Sequence, residues 1–78
     1  MHYVLDNNGK KYLIKEIDKF YEHLIKFHTN NGKANNSLHE ENGHYFTVTE
    51  DFFEKIKIMF NSQNKKPKYF LFNIYMRF

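Results

Sequence analysis

Between Lys11 and His28 the apolar residues recur at spacings of three and four. Leu13, Ile17, Phe20, Leu24 and Phe27 make one line, and Ile14, Tyr21, Ile25 and His28 widen it. Lys15, Glu16, Asp18, Lys19, Glu22, His23 and Lys26 fill the rest of the circumference. A stripe of this period marks a helix with one face in a core. A helix over about 11–28 is therefore expected. Glu22 and Lys26 form a favourable i,i+4 pair worth about 0.3 kcal/mol. Thr29-Asn30-Asn31-Gly32 stops the helix, because Asn31 or Gly32 can take a left-handed cap.

Elsewhere the signals are turns and alternation. Asn42-Gly43 lies between Leu38–Glu41 and His44–Val48. Asn-Gly suits a two-residue type I′ turn, where both positions need positive φ, so a hairpin is expected. Thr49 fits an N-cap, and Glu50 and Asp51 suit the positive end of a helix dipole. Phe52, Phe53, Ile56, Met59 and Phe60 then give a short amphipathic helix to about Asn61. Residues 29–37 and 61–68 read as polar loops, the latter holding Pro67. From Tyr69 to Phe78 the period is two. Phe70, Phe72, Ile74, Met76 and Phe78 form one face, and Tyr69, Leu71, Asn73, Tyr75 and Arg77 the other, which predicts a strand. Residues 2–5 predict another short strand, followed by the turn cluster Asp6–Gly9.

The resulting order is β-α-β-β-α-β. It predicts an α+β fold with two helices packed on one face of a mainly antiparallel sheet, as in the ferredoxin-like arrangement. The alternative is a hairpin over 2–14 around Asn7–Gly9, which gives a different topology. Seventy-eight residues hold one core, so a single domain spanning 1–78 is expected.

Several classes of function are disfavoured. No apolar run approaches the roughly 18 residues of a membrane span. The first residues show no basic segment followed by an apolar one, so a cytoplasmic location is expected. There is no cysteine, hence no disulfide and no thiolate zinc site. Ser37 and Ser62 lie outside any nucleophile elbow, and the three glycines build no phosphate loop. Glu50 and Asp51 have a structural role at a helix start. The expectation is a protein that is not an enzyme.

Five histidines raise the question of a metal site. His23 and His28 are five apart, about 140° around a helix, and are not expected to share a face. His39 and His44 flank the Asn42-Gly43 turn and can approach each other, with Glu40 and Glu41 nearby. Two surface histidines beside a turn is the expectation, with no metal and no cofactor.

Charge is mild but uneven. The net is +3, with residues 34–64 at −3 and residues 65–78 at +4. If the helices cover one sheet face, the other carries Tyr3, Tyr45, Tyr69, Tyr75 and Arg77, together with Thr47 and Leu71. Tyr and Arg are the residue types enriched at interface hot spots. Lys65, Lys66 and Lys68 supply a basic contact beside them. The expected function is a small non-enzymatic protein–protein interaction module. Eleven lysines against one arginine, with ten asparagines, suggest an AT-rich genome, hence a bacterial or phage origin; with a compact, cysteine-free chain and no visible active site, this suggests a regulator or inhibitor. One alternative is a nucleic-acid-binding regulator that stacks bases on the aromatic face. Residues 43–48, however, lack the ribonucleoprotein signature. The other alternative is a structural homodimer subunit.

Overall fold

Each Asn-Gly pair in this sequence closes a hairpin. The structure, a computed structural model, describes residues 2–65. Strand β1 (His2–Leu5) pairs antiparallel with β2 (Lys11–Ile14) across a loop holding Asn8-Gly9. Asp6 organises that loop: its Oδ1 accepts the backbone N–H groups of Asn8 and Lys10 at 2.8 and 2.9 Å. After helix α1 (Ile17–His28), the two-residue strands β3 (Thr29–Asn30) and β4 (Lys33–Ala34) pair around Asn31-Gly32. Strands β5 (Leu38–Glu41) and β6 (His44–Thr47) pair around Asn42-Gly43. At the two tight turns φ is +53° and +82°, then +50° and +85°, the left-handed geometry of a type I′ turn. Helix α2 (Glu50–Lys65) follows, and Thr49 Oγ1 caps it by accepting the Phe52 N–H at 3.1 Å.

The described residues form an α+β fold with two helices and three two-stranded antiparallel sheets. Its order over the described residues is β-β-α-β-β-β-β-α, and β1 pairs with its neighbour β2. The amino-terminal segment thus takes the hairpin topology. The helix expected over 11–28 begins at Ile17 instead. Lys11–Ile14 satisfies both periods, and the pairing with β1 selects period two: Ile14 is buried while Leu13 faces out. Helix α2 runs past Asn61 to Lys65. The strand expected over 69–78 lies outside the described residues.

The core draws on β1, β2, both helices, β6 and the residue after it: Val4, Ile14, Ile17, Phe20, Leu24, Phe46, Val48, Phe53 and Ile56 are all buried. Burying each such side chain contributes about 1.5–3 kcal/mol. Phe46 sits centrally, stacked on Phe52 at 5.4 Å and edge-on to Phe20 at 6.1 Å. Tyr21 joins the helices, with its ring 5.7 Å from Phe53 and 4.5 Å from Phe60. No helix among the described residues is long and apolar enough to cross a membrane.

Candidate functional site

Two features stand out from the packed core, one apolar and one polar. The apolar one is the outer face of the first hairpin. Tyr3 and Leu13 are cross-strand partners, and Leu5 lies on the same face; they are 51, 42 and 57% exposed. The Lys11 ammonium sits 4.6 Å from the Tyr3 ring centroid, a cation–π contact that keeps a charge at the patch edge. Tyr45, half exposed, faces out from β6 opposite Glu40. Tyr3 and Tyr45 therefore belong to two different sheets, where one continuous face was expected. Asn7 bridges those sheets: its N–H donates to the Tyr45 carbonyl at 2.7 Å, and its side-chain oxygen accepts the Thr47 N–H at 3.1 Å. Of the other residues expected in contact surfaces, Tyr69, Tyr75, Arg77, Lys66 and Lys68 lie outside the described residues. Lys65 is the last residue of α2, where a loop was expected.

The polar feature is a group of three histidines. His28 ends α1, His23 lies five residues earlier, and His39 sits on β5. Their ring centroids are 5.3 Å apart for His23–His28, 4.7 Å for His23–His39 and 5.2 Å for His28–His39. One nitrogen from each ring lies within 4.8 Å of the others. This corrects the expectation from helical angles. His23 and His28 do start on different sides of α1, but imidazoles reach far enough from the backbone to turn toward a common neighbour. That neighbour is His39, buried edge-on against Phe20 at 5.3 Å. His39 and His44 do not pair across the Asn42-Gly43 turn. His44 Nδ1 instead meets Asp6 Oδ2 at 2.7 Å, so it fastens the first hairpin to the third.

Polar neighbours hold two of the three rings. His39 Nε2 is 2.8 Å from Glu41 Oε1. His28 Nδ1 is 2.6 Å from Ser37 Oγ, and Ser37 Oγ–H donates to Asn35 Oδ1. The segment 35–37 is placed by backbone bonds from Asn35 N–H to the His28 carbonyl and between residues 36–37 and Val48. Burial, with the neighbouring His39, pushes the His23 and His28 imidazoles below their ordinary pKa and so favours the neutral ring. His23 and Glu41 also line an open cleft of about 460 Å³, which brings solvent to the cluster's edge.

Helix geometry alone conceals this cluster, but one signal was available. A two-residue turn at 42–43 sets Glu41 opposite His44 and therefore His39 opposite Phe46. Once Phe46 is assigned to the core, the pleat directs His39 inward with it. No protein-family model matches this chain, nor does any curated protein or solved structure.

Proposed function

We propose that this protein is a small non-enzymatic interaction module that binds a protein partner through the outer face of its first hairpin. The observation that carries this reading is the adjacent trio Tyr3, Leu5 and Leu13, each more than two-fifths exposed on one side of a two-stranded sheet. Contiguous exposed apolar side chains with a polar rim favour association, and aromatic residues dominate such contacts. Lys10, Lys11 and Lys15 are exposed around the trio. A partner with an apolar patch edged by carboxylates is complementary to that arrangement.

The arrangement of Ser37 supports a binding role over a hydrolytic one. Its hydroxyl hydrogen points to Asn35, so His28 meets the oxygen as a donor and not as a base. Residue usage fits a bacterial or phage origin.

The test is site-specific photo-crosslinking in cells of an AT-rich host, from position 13 and, as a control, from the exposed position 58 on α2. A single protein product from position 13 alone, resistant to nuclease and lost with Tyr3→Ala, is the expected result. A product equal to twice the chain mass assigns the face to a homodimer. Loss of the product on nuclease treatment, or with steep salt dependence, assigns it to nucleic acid. Equal crosslinking from both positions defeats the reading.

A further inference from the structure

We infer that His23, His28 and His39 form a zinc-binding site, with Ser37 and Glu41 orienting two of its three ligands. This goes beyond the interaction role and departs from the expectation of no metal.

Hydrogen-bond accounting carries the argument. Ser37 has one hydroxyl hydrogen, and Asn35 Oδ1 takes it. The Asn35 atom is an oxygen, because it also accepts the Ser37 backbone N–H at 3.1 Å. Ser37 Oγ can then only accept from His28, so Nδ1 carries the His28 proton and Nε2 keeps a bare lone pair. At His39 the partner is a carboxylate, which accepts and does not donate. In the neutral His39 ring, Nε2 therefore carries the proton and Nδ1 the lone pair. Two buried imidazoles are thus held in tautomers that each present an unprotonated nitrogen, in a cluster whose third member is another imidazole. An acceptor on the far nitrogen, usually a carboxylate, backbone carbonyl or water, supports a metal-bound histidine: it fixes the ring and raises its basicity.

The geometry suits a small tetrahedral ion. Zinc–nitrogen bonds of about 2.0–2.1 Å put tetrahedral ligand nitrogens about 3.3 Å apart. One nitrogen from each ring lies within 4.8 Å of the others, so closure asks for shifts of about 1.5 Å or less, with the rings turned to bring the unprotonated nitrogens of His28 and His39 inward. Three imidazoles exclude magnesium and calcium, which take oxygen ligands. Three protein ligands leave a fourth position. His23 and Glu41 border the cleft, so water can fill that position from solvent.

The ligands come from the end of α1 and from β5, joined by the β3–β4 hairpin and the segment 35–37. An ion there would tie together the two ends of a stretch that otherwise rests on a two-residue ladder and a few backbone bonds.

The experiment is zinc titration of the metal-free full-length protein, in competition with a chromophoric chelator. Cobalt is titrated in parallel, because its visible spectrum reports tetrahedral coordination. One ion per chain is expected, with the strong cobalt absorption of a four-coordinate site. His23 is only partly buried, so His23→Gln should stay folded by circular dichroism while weakening zinc by more than about 100-fold. Glu41→Ala should weaken it about 10–100-fold, as loss of an orienting carboxylate does. His44→Gln should leave affinity unchanged, since that ring is engaged with Asp6. Failure to take up zinc, unchanged affinity in a folded His23→Gln protein, or an equal loss in His44→Gln each overturns the assignment.

Discussion

Replacing Phe46 with alanine tests the packing on which every surface here depends. Its side chain is 1% exposed. Ring centroids of Phe52, Tyr12, Phe20, His39 and His44 surround it at 5.4, 5.8, 6.1, 6.3 and 6.4 Å. Lost transfer free energy accounts for about 1.5–3 kcal/mol. Lost ring contacts and the cavity left among five rigid neighbours raise the total to about 3–5 kcal/mol. A chain of this length is stabilised by about 4–12 kcal/mol in all. The substitution therefore removes about a quarter or more of the stability, and at the low end leaves the protein largely unfolded. Urea unfolding followed by circular dichroism measures the difference, with the slope checked for constancy. A loss under about 1.5 kcal/mol with unchanged slope would refute the placement of Phe46 at the centre of the core.

Other consequences are local. Thr49→Ala removes the acceptor for the Phe52 N–H and should cost about 1 kcal/mol in the same urea assay. Gly43→Ala meets no atom within 4 Å, so its cost is backbone strain at φ +85° alone, about 1–2 kcal/mol; a neutral result would contradict the type I′ turn. The backbone N–H of Lys10, opposed by desolvation and aided by His44 and Asn8, holds the Asp6 carboxyl below its ordinary pKa. A carboxylate with a depressed folded pKa stabilises the fold above the unfolded value of about 3.9 and loses that contribution as pH falls through the folded value. Thermal midpoints should therefore drop on acidification below about pH 4, and more steeply for the wild type than for Asp6→Asn.

Features set by a few neighbouring residues were legible without the fold. Asn42-Gly43 adopts the turn that its two residue types favour, and Thr49 caps the helix that its hydroxyl and the following acids predict. The body of α1 follows from its stripe, with Ile17, Phe20 and Leu24 buried as expected. Phe27 and Ile25, also on the stripe, are exposed because no described element packs over the last turn on that side. The start of α1 does not follow from the stripe, because Leu13 and Ile14 fit a helix and a strand equally well.

What the chain alone determined, then, is the set of short-range choices: where it turns, which segments coil, and which faces are apolar. These depend on backbone sterics and side-chain period, which act over a few residues. Tertiary structure decided the rest. Pairing with β1 made residues 11–14 a strand. The docking of the first loop onto β6 gave His44 to Asp6 and separated it from any role beside His39. The position of β5 beside the end of α1 drew His23 and His28 around His39, although their helical angles part them. Contacts between residues far apart in sequence depend on which elements pack together, and period and spacing carry no term for that.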